Sequence, residues 1–250
     1  MQEKNKNFNE IFRKSFGNFL FFLYKSGVLL YNSSKSRELR SDIRRGRLKM
    51  HFETVKANLE KRGFAVSCFE TKEEAAAYLD GKIDGKTVGF GGSVTLREMG
   101  LSALLGSHNA VFWHWEIPEG KTAAEMRAEG ARAAVYLSSV NGIAETGEIV
   151  NIDGTCNRVS AIFYGHEAVY LIAGKNKLEK DYEAALYRAR NIAAPRNAQR
   201  LGVKTPCAVE GDRCYDCASP DRICRGLSVL WEKPMGGTFE VILINEDLGY

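Results

Sequence analysis

Cys207, Cys214, Cys217 and Cys224 lie in TPCAVEGDRCYDCASPDRIC with the spacing C-x6-C-x2-C-x6-C. The central pair lets two thiolates chelate one centre, and the outer cysteines sit symmetrically within loop reach. Gly211, Pro220 and several aspartates leave the segment, residues 205–225, poorly able to hold itself by packing, so a cross-link is expected. Four thiolates suit a tetrahedral zinc site or an iron–sulfur cluster. Free thiols or a redox disulfide are the plainer alternatives, and the spacing matches neither common ferredoxin run.

A second chemistry-bearing stretch is KTVGFGGSVTLREMGL, from Lys86 to Leu101. It reads as a short strand, a tight turn at Gly91, Gly92 and Ser93, and a helix beginning between Ser93 and Thr95. Adjacent glycines leave no side chain in a ligand's way. The hydroxyls of Ser93 and Thr95, with the free N–H groups of a new helix, can meet a phosphate or carboxylate. The alternative is a plain strand-to-helix turn with Ser93 as its N-cap.

Polar glycine turns recur in NGIAETGEIVNIDGTCNR, where Asn141, Glu145, Asp153, Asn157 and Arg158 cluster. Arg158 can grip a carboxylate or phosphate through its planar fork. Glu145 or Asp153 can serve as a general base where partly buried, and Asp153 and Asn157 equally suit turns and caps. Cys156 is a lone thiol in this loop. In Gly174-Lys175-Asn176-Lys177, Lys175 at a strand end is a candidate for an anionic ligand, with a solvated turn as the alternative. His51, His108, His114 and His166 show neither H-x3-H nor HExxH spacing, which argues against a histidine metal site.

The elements that must position these groups alternate between strand and helix. Helical spacing of Met50, Val55 and Leu59 marks a helix over 48–62 stopped by Gly63. Phe64–Phe69 reads as a strand, and Lys72–Leu79 as a helix opened by a Thr71/Glu74 capping box. The glycine loop's helix runs to about Leu105. Strands are expected at Ala110–Trp115 and Ala134–Ser138, around a helix over Thr122–Ala133. A hairpin about Thr146-Gly147, a helix from Asn157 and a strand at Ala168–Ala173 follow. Lys177–Ala193 reads as one amphipathic helix ended or kinked by Pro195, and two strands close the chain at Leu227–Trp231 and Phe239–Ile244. This pattern predicts an α/β fold, an open and mainly parallel sheet with helices on both faces.

At 250 residues with net charge +4, the chain has room for a good core and no basic stripe interleaved with aromatics, so nucleic acid is not indicated. Clustered cysteines in a chain of this length point to a metal site in a reducing cytoplasm rather than a disulfide scaffold. Residues 1–47 are expected to lie outside the main domain, which spans 48–250. Phe16–Tyr31 is apolar but interrupted by Lys25 and short for a bilayer span, so an integral membrane protein is not expected. A peripheral membrane or partner-binding segment is one reading of it. Another is that Met50 is the true start, and an intact mass including residues 1–49 would end that idea.

Five ordered stretches, VGFGGSVTLREMGL, SSVNGIAETGEIVNIDGTCNRVSA, GKNKL, RNIAAPRNAQRLG and TPCAVEGDRCYDCASPDRIC, resemble the LUD-domain (lactate utilization, DUF162) family, most closely its short cysteine-bearing single-domain members. The resemblance covers Met50–Tyr250. It implies a fold like those of ribose-phosphate isomerase, glucosamine-phosphate deaminase and CoA transferases, with Gly91, Gly92, Ser93 and Thr95 as the anion-binding loop. It also implies a small anionic metabolite as ligand, iron–sulfur partner subunits, and a role in oxidising lactate to pyruvate. Cys156 departs from it, because related sequences carry glycine there. The alternative functions are a stand-alone sugar-phosphate or acyl-CoA enzyme with Glu145 or Asp153 as base, and a non-catalytic module whose cysteines hold structural zinc.

Overall fold

The computed structural model describes the strands Phe19–Tyr24 and Gly27–Asn32 and all residues from 52 to 250. The chain divides into two units, Met1–Lys49 and Met50–Tyr250. In the first, β1 (Phe19–Tyr24) and β2 (Gly27–Asn32) pair antiparallel within the apolar stretch. The helix start expected at Leu48, the alternative start at Met50, and His51 lie outside the described residues. No helix among the described residues is long and apolar enough to cross a membrane.

The second unit is built on a six-stranded sheet. Its strands are β3 (Ala65–Phe69), β4 (Thr87–Phe90), β5 (Ala110–Trp113), β6 (Val135–Ser139), β9 (Ala168–Gly174) and β12 (Thr238–Ile244). They stand in the order β3-β12-β9-β6-β4-β5, and every pairing is parallel. Parallel sheets need both faces covered, which is why these strands read as apolar runs rather than alternating ones. The pleat divides each run between two cores. Val135, Leu137, Tyr170, Ile172, Ile242 and Ile244 face one way, onto Ala75 and Leu79 of α2 (Lys72–Lys82), Leu96 of α3 (Val94–Glu98) and Leu101 and Leu105 of α4 (Leu101–Leu105). Tyr136, Val169, Leu171, Ala173, Val241 and Leu243 face the other way, onto Val55 and Leu59 of α1 (Phe52–Lys61) and Ala161 and Ile162 of α6 (Asn157–Phe163). The fold is therefore an α/β sheet with helices on both faces. α5 (Ala123–Gly130) lies between β5 and β6 in sequence and opens with a Thr122/Glu125 capping box.

Three local outcomes differ from the sequence expectation. The helix after Ser93 breaks into α3 and α4, because Gly100 takes a left-handed φ of 64°. The expected hairpin, β7 (Gly142–Ala144) with β8 (Ile149–Asp153), belongs to a second, four-stranded sheet with β10 (Leu178–Glu179) and β11 (Gly226–Leu230), in the order β10-β7-β8-β11. The helix expected over Lys177–Ala193 begins only at α7 (Tyr182–Arg188), capped by Asp181. Before it, Lys175–Lys177 form a 3-10 turn, and Leu178 pairs with Ile143.

After α7 the chain widens into a π segment, Ala189–Ala193, and continues as α8 (Ala194–Leu201). Pro195 explains the widening. It lacks an N–H and its ring collides with the carbonyl four residues back in an ordinary helix. The π turn lets the Ala194 N–H reach the Ala189 carbonyl, five residues back, and the helix passes through the proline instead of ending there.

A candidate ligand cavity beside a cysteine cluster

The chain leaves β4 toward β5 on one side of the sheet and later leaves β6 toward β9 on the other, so the crevice beyond β4 and β6 is a topological switch point. Open α/β sheets bind ligands in such crevices, at the carboxyl ends of their strands. A cavity of about 310 Å³ lies there. Gly92 to Thr95 follow β4, His114 and Trp115 follow β5, Ser139 and Asn141 come at and after the end of β6, and Lys177 comes after β9. Asp153, Asn157 and Arg158 close one side, and Asn197 and Arg200 of α8 line another.

Most of the hydroxyls and charges are already engaged with the protein. Ser93 caps α3, its Oγ accepting the Leu96 N–H at 3.3 Å. Asp153 caps α6, with Oδ2 accepting the N–H groups of Arg158 and Val159 and Oδ1 that of Gly154. The buried Arg158 guanidinium donates to Ser139 O, Asn151 Oδ1, Asn141 Oδ1 and Ile152 O. It braces the loop after β6 against β8 rather than presenting a free fork to a ligand.

The most buried basic side chain lining the cavity is Lys177. Its Nζ donates to Thr95 Oγ1 at 2.9 Å and Ser139 Oγ at 2.7 Å. Burial, reinforced by the charges of Arg188 and Arg158, holds this amine well below the usual lysine range. Burial, with Arg127 second, also lowers the His114 imidazole. At the exposed side Arg200 donates to Asn197 Oδ1 and lies over the Trp115 ring, 4.6 Å from its centroid.

Of the residues singled out from sequence, Gly92, Ser93, Thr95, Asn141, Asp153, Asn157 and Arg158 meet around this cavity. Three do not line it. Gly91 is buried behind the wall, against the Arg158 stem. Glu145 sits in the β7–β8 turn, where its carbonyl accepts from Asn58 of α1. Lys175 is exposed and donates to Asn245 O, while its neighbour two residues on faces inward. Sequence reasoning passed over Lys177, Ser139, His114, Trp115 and Arg200. The two serines ending the apolar run of β6 were the readable signal, since a buried strand rarely closes on paired hydroxyls without partners for them.

Cys207, Cys214, Cys217 and Cys224 together line a second, small cavity of about 10 Å³. All four are free thiols. Cys207 sits in the single-turn α9 (Pro206–Glu210). Between the central pair, Asp216 adopts a left-handed φ of 46° and turns its N–H onto Cys214 Sγ at 3.3 Å. Its carboxylate pairs with both Arg190 and Arg222. Four cysteines lining one small cavity, an amide donating to Cys214 Sγ and two flanking cations are the donor set that a four-thiolate centre needs. As they stand, no group of three or more Cys, His, Asp or Glu side chains among the described residues is arranged to hold an ion. Ala194 and Ile223 line both cavities.

Fold and site thus define an α/β protein with a ligand crevice at the carboxyl edge of a parallel sheet. The family model for the LUD domain matches residues 52–244, and the chain belongs to that family. Among solved structures it is similar to a DUF162 family protein from Deinococcus radiodurans, at 12% identity and a TM-score of 0.44, over 79% of this chain and 98% of that one. A ribose 5-phosphate isomerase from Plasmodium falciparum matches at 16% identity and a TM-score of 0.27, over 44% of this chain and 52% of that one. No curated protein matches the chain.

Proposed function

We propose that this chain is a lactate-utilization-type protein that binds a small anionic metabolite in the cavity and carries an iron–sulfur centre on Cys207, Cys214, Cys217 and Cys224. The observation that carries the reading is the shared wall: Ala194 and Ile223 alone belong to both the crevice and the cysteine cluster. The cavity has room for a small metabolite with water around it, and Arg200 gives it a cation at the exposed side while Lys177 gives it an amine at the buried side. When bound, a cluster would supply one-electron chemistry at that wall. The protein's own residues hold the anion, exclude water through Trp115 and Ile223, and keep the cluster's charge balanced through Arg190 and Arg222. Partner iron–sulfur subunits would pass the electrons on.

The test is anaerobic purification, then iron, sulfide and zinc analysis, with L-lactate and pyruvate binding followed by calorimetry. Brown protein with iron, and several-fold weaker pyruvate binding in Arg200→Ala, are the expected results. Colourless protein with stoichiometric zinc would remove the redox half and leave a zinc-stapled binding module. Unchanged affinity in Arg200→Ala would remove the anion half.

A further inference from the structure

We propose that Lys177 is the reactive amine of the cavity and that it takes a small oxo acid through the carbonyl carbon, as an imine. The inference rests on the small-anion reading above and names the ligand's second functional group.

The hydrogen-bond directions carry it. Ser139 Oγ donates to the Ile172 carbonyl at 2.6 Å, and Thr95 Oγ1 donates to the Leu248 carbonyl at 3.3 Å. Ser139 Oγ also lies 3.3 Å from Thr95 Oγ1, but its shorter bond directs the serine hydrogen to the Ile172 carbonyl, so both hydroxyl oxygens accept from Nζ. A neutral amine has two hydrogens, and these two acceptors use both, which leaves the nitrogen lone pair for an electrophile. A structural lysine would instead pair with a carboxylate. The charges that act on Nζ are Arg188 and Arg158, which disfavour its protonation, and Glu98, which only partly opposes them. The backbone of Gly249 passes so close that a Cβ there would stand 2.6 Å from Thr95 Oγ1 and 3.5 Å from Nζ. The amine is thus held by Thr95 and Ser139, with Gly249 packed beside it, on the wall of the cavity that the lysine lines.

The step balances. The lone pair adds to the carbonyl carbon, and the carbonyl oxygen departs with the amine's two hydrogens as one water. The result is a carbon–nitrogen double bond, reversible by that same water. The ligand's carboxylate is left to face Arg200.

The full chain is incubated with pyruvate, and separately with glyoxylate. Each mixture is reduced with sodium borohydride and mapped by peptide mass. The expected result is one adduct per chain, at Lys177, labelled roughly tenfold or more above exposed Lys175 and Lys204, since a carbonyl held in the cavity meets this amine at a raised effective concentration. K177R should lose it. Should K177R fail to fold, the position of the adduct in the unaltered chain decides alone. No adduct, or labelling spread evenly over exposed lysines, overturns the proposal. Acetate and L-lactate, which have no ketone or aldehyde carbonyl, separate the two readings by calorimetry. If they bind while pyruvate leaves no adduct, the imine fails and the anion site stands. If neither binds, the anion site itself fails.

Discussion

Gly91 and Gly92 are glycine for different reasons, and only Gly92 lines the cavity. A Cβ on Gly91 would lie 2.9 Å from Arg158 Cγ and 3.1 Å from Ser138 Oγ, inside the packed wall. A Cβ on Gly92 would meet His114 Nε2 and Trp115 Nε1, both at 3.2 Å, on the cavity side. Gly91→Ala should therefore cost about 1–3 kcal/mol of stability through overpacking, read from the denaturant midpoint. Gly92→Ala should leave the midpoint nearly in place and weaken pyruvate binding. Equal effects of the two on stability would show that the glycines do one job. Cys156 follows similar logic. It holds a left-handed φ of 63°, where glycine is at ease, and its Sγ fits because Gly226 opposite has no side chain, a Cβ there falling 2.5 Å from the sulfur. The departure from glycine was legible in sequence, but its accommodation was not, because Gly226 lies far along the chain.

At the scale of elements, what was legible was whatever a local pattern sets. The parallel strands announce themselves as unbroken apolar runs, and the Thr71/Glu74 box opens α2 as read. Pairing of β10 with β7 was not legible, since Leu178–Glu179 is too short to carry a period and its partner lies in the hairpin. Nor could spacing distinguish Lys177 from Lys175, because the 3-10 turn that points one inward and the other outward is set by that same pairing. The proline reads in sequence as ending or kinking the helix, and in the fold it widens the helix into a π turn that continues. The turn places Arg190 at the cysteines and Ala193 and Ala194 at the crevice. Pro195→Ala removes the need for the widening. The segment should then relax toward an ordinary helix, turning Arg190 and Ala194 away from their cavities. Metal content and pyruvate affinity should both fall, while far-UV circular dichroism keeps its helical signal. Unchanged metal content and affinity would mean that the π turn is held by packing alone.

Across the whole molecule, the described histidines add to the lowered Lys177 amine in setting how stability responds to acid. His166 donates through Nδ1 to the Ala133 carbonyl and stacks on Tyr136, while its buried Nε2 has no partner among the described residues. Protonation would create a second N–H with nothing to receive it. Burial accordingly lowers both His166 and His114. His108 is the reverse case, bonded to Asp80 and Asp84, whose hydrogen bonds raise it. For a lowered histidine the unfolded chain binds more protons, so its contribution is present above the unfolded pKa, near 6.5, and is lost as pH falls through the lower folded value. For His108 the contribution is complete below that unfolded value and is lost as pH rises through the higher folded one. Two half-buried rings outweigh one solvent-screened cluster, and Lys177 acts in the same direction, so the melting temperature should fall between pH 8 and pH 5.5. His166→Phe should flatten that fall, because it removes an acid-sensitive ring and leaves an aromatic stack on Tyr136. His108→Gln should steepen it, by deleting the one histidine among the described residues that acid favours. Thermal melts of the three proteins across this range check the argument, and a steeper fall in His166→Phe than in the unaltered chain would refute it.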